Sequence, residues 1–452
     1  MDHSQFHESS VGKLLLKFSI PAIVGMVVNA LYTVVDRFFI GKMPDVGALA
    51  LSGVGAAFPI AVVIMSFGML VGIGAGSRIS IALGENNEER AAKILGNAFL
   101  MNIIFSIALS VLGLLFYKPI LSAFGATAST MEYAQEYTVI ILMGVVFTNT
   151  AFAMNNCIRG LGYPNMGMIT LLLGAVTNIV LDPIFIFVLD MGVQGAAIAT
   201  VISQIVSSIW AVYFLTSKKV NIPLRFENMK LDLQIILNIF AIGMSPFAMQ
   251  LAAALVQILF NNNLNTYAGE LGIGVFSSIN SIIMLFFMPI FGINQGAQPI
   301  IGYYYGAKDY AKVRKTYILA AISATILASF GFLACQLAPA TLLGIFNKEE
   351  DFLRLGVYGM RVFTAMLPVV GFQIVSSNLF QAIGEASTAM LLSLSRQVIM
   401  LIPLILILPK YYGLLGVWVS TPISDLLASV LTLIFIIRIF RKLSKIEGQA
   451  RS

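Results

Sequence analysis

The stretch 174–187, GAVTNIVLDPIFIF, is apolar almost throughout, yet it carries Asn178 and Asp182 one helical turn apart, followed directly by Pro183. A carboxylate inside a membrane-length apolar run is expensive to bury and is read by default as functional. Proline cannot donate a hydrogen bond to the carbonyl one turn back, so the oxygen of Ile179 is left bare beside the two polar side chains. Asn178, Asp182 and that carbonyl form an oxygen-rich set suited to a proton or a hard cation.

Two further helices can bring oxygens to the same depth. Asn29, Tyr32 and Asp36 fall at i, i+3 and i+7 on one face of the first apolar run. Asp182 stands sixteen residues into its span, about 24 Å up at 1.5 Å per residue. Thr200, six residues into the next and descending span, lies about 9 Å below the outer face. Asp36 also sits in the outer half of its span, although Arg37 beside it is what a solvent-capped helix end would show. Two carboxylates in one low-dielectric site do not both stay ionised: one keeps a proton, or a cation such as Na⁺ lies between them.

The elements that must hold these groups follow from composition. Apolar residues make up 58% of 452 residues and charged ones 11%, with mean hydropathy +0.91. That balance belongs to an all-α polytopic membrane protein. At about 20 residues per crossing, twelve spans are expected, at 14–40, 53–82, 94–117, 134–159, 166–189, 194–216, 235–262, 273–303, 316–341, 355–381, 388–408 and 413–438. The longest polar connection, 217–232, leaves no room for a soluble catalytic domain. The first apolar run lacks a small-residue cleavage pattern and reads as a retained span. Cys157 and Cys335 lie in apolar spans, and His3 and His7 are the only histidines, so no disulfide framework or zinc spacing exists.

The formal charge of +6 is distributed as topology. With the N-terminus inside, 20 of the 27 Lys and Arg face the cytoplasm, clustered in 78–93, 218–230, 308–315 and 438–451. The other seven are Arg37, Lys42, Lys118, Lys348, Arg354, Arg361 and Lys410. This bias places both termini in the cytoplasm and argues against nucleic acid as a partner.

The two halves repeat at a nearly constant offset. Gly74-Ala-Gly-Ser matches Gly296-Ala-Gln-Pro, Leu83-Gly84 matches Tyr305-Gly306, and Arg159-Gly-Leu-Gly162 matches Gln381-Ala-Ile-Gly384, all 222 positions apart. Gly192-Val-Gln-Gly195 matches Gly413-Leu-Leu-Gly416 at 221. Six spans per repeat imply two pseudo-twofold-related six-helix bundles, 1–216 and 233–452, joined by a cytoplasmic linker at 217–232. Such a pair supports alternating access by rocking about a central cleft. Gly68, Gly72, Gly74 and Gly76 allow close packing in the second span.

The C-terminal half carries no acid between 235 and 263. It offers a stripe of Gln250, Gln257 and Asn261 and flexible methionines including Met284 and Met288, candidates for a cleft that takes varied apolar ligands. Arg396 and Asp425 are its deepest charges, about 12 Å and 20 Å above the cytoplasmic end at 1.5 Å per residue. They are expected to form a structural ion pair. Arg361 has no evident partner.

In this order and spacing, several segments resemble the multidrug and toxic compound extrusion (MATE) family. They are Pro21, Asp36-Arg-Phe-Phe-Ile-Gly41, Gly74-Ala-Gly-Ser with Leu83-Gly84, Arg159-Gly-Leu-Gly162-Tyr-Pro164, and Asn178-Ile-Val-Leu-Asp182-Pro183 followed by Gly195-Ala-Ala. The resemblance covers essentially the whole chain. It implies a V-shaped two-lobe fold and secondary active efflux of amphipathic, often cationic compounds against inward H⁺ or Na⁺. No cofactor is implied beyond that coupling ion.

In the DNA-damage-inducible branch, the matching network falls on Asp36, Tyr32, Asn178, Asp182 and Thr200, with a further Asn on Asn155 or Asn156. The branch with an acidic pair in its C-terminal lobe is not matched, because amides stand there. The chain is most similar to the bacterial MepA-like subgroup. The expected setting is the bacterial cytoplasmic membrane. The expected partners are small drug-like substrates and the bilayer, the protein acting as a monomer.

Two rivals are weaker. A flippase for lipid-linked sugars would need a strongly cationic cavity, whereas Arg159, Arg361 and Arg396 are scattered. An integral-membrane enzyme or receptor lacks intramembrane His, a nucleophile motif or a soluble domain. No Gly-x-x-x-x-Gly-Lys-Ser/Thr loop exists for nucleotide, and the Gly-Arg-rich loop expected of a major facilitator is missing.

Overall fold

The computed structural model describes residues 10–43 and 46–451, which excludes His3 and His7. Among the described residues the regular structure is entirely helical. A chain buried in lipid must satisfy its own backbone, and helices do so within each segment.

The first half runs α1 Val11–Gly41, α2 Gly47–Ala56, α3 Phe58–Gly84, α4 Glu88–Ala123, α5 Met131–Met143, α6 Val145–Gly160, α7 Pro164–Pro183 and α8 Gly192–Thr216. The second begins with a helical run, Leu233–Gly306, of 74 residues. At 1.5 Å per residue that is about 110 Å, far longer than any bilayer. It breaks at Gly269, whose φ of 63° and ψ of −159° leave the helical region. It is therefore two spans, α9 (233–268) and α10 (270–306). There follow α11 Tyr310–Leu337, α12 Pro339–Leu343, α13 Glu350–Phe363, α14 Leu367–Ala382, α15 Ala386–Leu394, α16 Ile402–Tyr412 and α17 Leu414–Arg451.

Nine described helical runs are long and apolar enough to cross a membrane. The bent pairs α5–α6 (55°) and α13–α14 (48°) add two more. The break at Gly269 makes the total twelve. The span expected at 53–82 has a sharper structure than its composition suggests. A separate helix, α2, ends at Ala56, because Pro59 in the first turn of α3 withdraws the donor that would continue the ladder.

The chain divides into two compact units. One is 24–247; the other joins residues 10–23 to 248–451. The first helix of each half changes unit just past a proline, Pro21 in α1 and Pro246 in α9. Within 24–247, the start of α9 lies against α3: a Cβ on Gly243 would overlap the Leu70 carbonyl, and one on Gly74 the Ile239 carbonyl. Within the other unit, Gly292 and Gly296 of α10 abut Ile23 and Ser19 of α1, with would-be Cβ contacts of 2.5–2.7 Å.

The interior of that second unit is an aromatic cluster. Phe260 and Phe276 stack at 4.9 Å, with Phe363 edge-on to both and the fully buried Trp418 beside them. The 24–247 unit buries polar side chains as well, among them Asn178 and Asp182.

Candidate cation or proton site

Helix α7 carries Asn178 and Asp182, both 0% exposed. The missing N–H of Pro183 ends its regular ladder, and a wider π-type turn follows over Ile184–Val188. Such widened turns gather at functional sites. Helix α8 runs alongside. Gly174 sits on the Ser207 hydroxyl, and a Cβ on Gly195 would come within 2.7 Å of the Phe185 carbonyl. Only glycine permits this approach at both ends, and the approach brings Thr200 to Asn178.

The Asn178 amide nitrogen donates to Asp182 Oδ1 at 3.1 Å and to Thr200 Oγ1 at 3.4 Å. From α1, buried Asp36 turns its carboxyl toward that of Asp182, within reach of one shared hydrogen bond. Arg37, next to it, is exposed. Half-buried Tyr32, one turn before Asp36, is within electrostatic range of both acids.

Among the described residues, no group donates to the buried oxygens Asp36 Oδ1, Asn178 Oδ1 and Asp182 Oδ2. A buried acceptor without a donor costs about 1–3 kcal/mol. Three of them, two on acids, form a donor-poor nest that fits a proton or a hard, oxygen-seeking cation.

One side of this nest is apolar. Ile40, Ala50, Ile186, Val193 and Ala196 form a buried apolar cluster. Ile40 lies one turn beyond Asp36, Ile186 one turn beyond Asp182, and Ala196 one turn before Thr200 on α8. Met43, Phe39 and Tyr137 pack against the cluster. Low local dielectric strengthens every interaction inside it.

Other candidates fall elsewhere. Asn155 donates to the Gly167 carbonyl at 2.6 Å and accepts from Arg159. Gly167 precedes Asn178 by eleven residues of α7, about 16 Å along the axis. Asn156 donates to the Phe152 carbonyl at 2.9 Å and lies against Gly72. Neither amide has a hydrogen bond to Asp36, Asn178, Asp182 or Thr200. Sequence reasoning also missed Tyr137 of α5, which stands within electrostatic range of Asp36, Tyr32 and Asp182. A tyrosine at membrane depth was the available signal.

In the other unit, Gln257 Nε2 donates to Asn261 Oδ1 at 3.5 Å, and Gln250 is half-buried nearby on the same helix. Met284 is exposed and Met288 half-buried on α10. Aligning Pro21 with Pro246 puts Gln257 and Asn261 opposite Tyr32 and Asp36. An amide pair thus replaces the tyrosine–acid pair. Arg396 Nε donates to Asp425 Oδ1 at 2.6 Å, with the Asp side chain 5% exposed and the Arg 24%. Ser424 donates to the Arg396 carbonyl, tying the two helices further.

Comparison with known proteins bears on this arrangement. The MatE family model matches residues 21–184 and 234–407, one match per half. The multidrug export protein MepA of Staphylococcus haemolyticus (strain JCSC1435) is 24% identical over 439 residues, 97% of this chain and 96% of its own length. Among solved structures, the MATE multidrug transporter DinF-BH, solved as a complex, is 40% identical, with TM-score 0.88 over 94% of this chain and 95% of its own. A MOP superfamily transporter from Pyrococcus furiosus is 26% identical, with TM-score 0.92 over 98% of this chain and 99% of its own. The chain belongs to the MatE family and is a multi-pass membrane transporter of the multidrug efflux type, not an enzyme.

Proposed function

We propose that the protein is a secondary active exporter of amphipathic, cationic compounds, driven by inward flow of H⁺ or Na⁺ through the site of Asp36, Asn178, Asp182 and Thr200. The observation that carries this reading is the convergence of two buried carboxyl groups with undonated oxygens beneath an apolar seal. Relatives bearing the name multidrug export protein, and a structural neighbour named a multidrug transporter, support the substrate class.

The mechanism is mutual exclusion. An ion entering from outside neutralises the carboxyl pair, disfavours bound cationic substrate and permits return of the empty carrier. Each charge crossing the membrane supplies about 2.3 kcal/mol per 100 mV, and each tenfold ion gradient adds about 1.4 kcal/mol. For a monovalent cationic substrate exchanged one for one, the potential terms cancel, and one ion sustains a substrate ratio of about tenfold per tenfold ion gradient. An uncharged substrate gains both terms, a ratio on the order of 10² to 10³. Tyr32 stands within electrostatic range of both acids and adds its phenol to their surroundings. The amides Gln250, Gln257 and Asn261, with Met284 and Met288, contribute to the substrate cleft, and the Arg396–Asp425 pair is structural.

The protein sits in a bacterial cytoplasmic membrane and acts as a monomer, with both termini inside, an orientation that the charge bias supports. The repeats delimit lobes at 1–216 and 233–452. A lipid-linked-sugar flippase gains no support, since Arg159 and Arg396 are each engaged locally, with Asn155 and Asp425.

Proteoliposomes loaded with ethidium test the proposal under an imposed pH gradient and, separately, an imposed Na⁺ gradient. One of the two gradients drives efflux above the rate of protein-free vesicles. Efflux driven by neither gradient overturns the antiport reading.

A further inference from the structure

We propose that Arg361 and the apolar groove beside it bind one phospholipid of the outer leaflet, with the lipid phosphate on the guanidinium and an acyl chain in the groove. Every residue of this site belongs to the 248–451 unit. The groove, about 450 Å³, is lined by Arg361, Val362, Ala365 and Met366 on one side and by α17 residues including Pro422 and Leu426 on the other. It falls in the size range of pockets that hold one small ligand. Arg361 is its only charged lining residue.

The guanidinium is oriented and largely unspent. Arg361 Nε donates to the Gln336 carbonyl at 3.3 Å, and Gln336 Nε2 donates back to the Arg361 carbonyl at 2.8 Å. Gln336 Nε2 also reaches Thr364 Oγ1 at 3.2 Å, so the bend between α13 and α14 is held by the same amide. Among the described residues no carboxylate faces Arg361, and its terminal N–H groups donate to no protein acceptor. An arginine on an apolar, exposed face without a counter-ion is costly unless it reaches the interface and meets an anion there. Its planar fork matches a phosphate bidentately.

The depth is right for a headgroup. Gln336 is the penultimate residue of α11, so the guanidinium lies level with the end of that helix. About two to three turns before Arg361, the exposed Asp351–Arg354 ion pair marks water at the head of α13. Helical side chains tilt toward their N-terminus, and in the topology proposed above the N-terminus of α13 is the outer end. From Arg361 to Met366 and from Val419 to Leu426, the groove descends from that level toward the membrane interior, where Leu426 is 46% exposed. A phosphate above and an apolar channel below is the pattern of a glycerophospholipid. A free anion would leave the channel unfilled.

Native mass spectrometry of the intact, detergent-solubilised protein titrated with phosphatidylglycerol tests this. Wild type retains one bound lipid. Arg361→Gln lowers its retention by at least about tenfold, the loss of a charge-assisted hydrogen-bond pair. Arg361→Lys keeps most of it, and Leu426→Trp, which fills the groove while leaving the charge, loses it. Dioleoylglycerol, with the same chains and no phosphate, is not retained. Equal retention by wild type and Arg361→Gln overturns the proposal. So does equal retention of dioleoylglycerol, or displacement of the lipid by millimolar inorganic phosphate.

Discussion

Asp36 of α1 and Asp182 of α7 turn their carboxyl groups toward one another inside the 24–247 unit, within reach of a single shared proton. Like charges this close in an apolar setting do not coexist uncompensated. The pair is therefore a two-state element: occupied by a proton or cation, or strongly in need of one.

Asp182→Asn removes the charge while keeping the shape and the hydrogen bond from Asn178. We expect ion-driven ethidium efflux from proteoliposomes to fall to the rate of protein-free vesicles, with equilibrium ethidium binding retained. Efflux at wild-type rate would remove Asp182 from the coupling site.

Asn178→Ala deletes the amide shared by Asp182 and Thr200. Hydrogen bonds to charged groups are worth about 1.5–3 kcal/mol. The gradient giving half-maximal efflux should shift by about tenfold or more. Asn178→Gln moves the amide by one methylene and should not restore it. An unchanged dependence on the driving gradient in Asn178→Ala would count against the amide's role.

Gly174→Ala places a methyl against the Ser207 hydroxyl, which donates to the Thr170 carbonyl at 3.0 Å. Overpacking of this kind costs about 1–3 kcal/mol. The melting temperature should fall, and the double variant Gly174→Ala with Ser207→Gly should recover part of the loss. No recovery would mean that the strain lies elsewhere along α7 and α8.

Removing Arg396 leaves Asp425 buried without its partner, a change that costs about 3–5 kcal/mol for a fully buried pair. Arg396 is partly exposed, so Arg396→Met should sit at the lower end of that range. The double variant Arg396→Met with Asp425→Leu should return close to wild-type stability by thermal denaturation, with efflux preserved. Stability regained without efflux would assign the pair to transport.

The sequence alone determines the number of crossings, the 222-residue repeat and the identity of the polar groups inside the apolar runs. Those properties are written along one dimension, in apolar length, glycine spacing and charge. The one-turn spacing of Asn178 and Asp182, and the proline behind them, is likewise a local fact. The partners of side chains are not. Whether Asn155 or Asn156 reached the acids depended on the rotation of α6, and the structure spends Asn155 on Arg159 and Gly167 and Asn156 on Phe152. The approach of Tyr137, and the seal of Ile40, Ile186 and Ala196 over the acids, bring together α1, α5 and the consecutive pair α7 and α8. Their separation is set by close contacts such as Gly174 on Ser207 and Gly195 on Phe185. The exchange of units just after Pro21 and Pro246 is decided in the same way. A proline marks where a helix can bend, but only packing against α10 or α3 decides which neighbour each half of the helix joins.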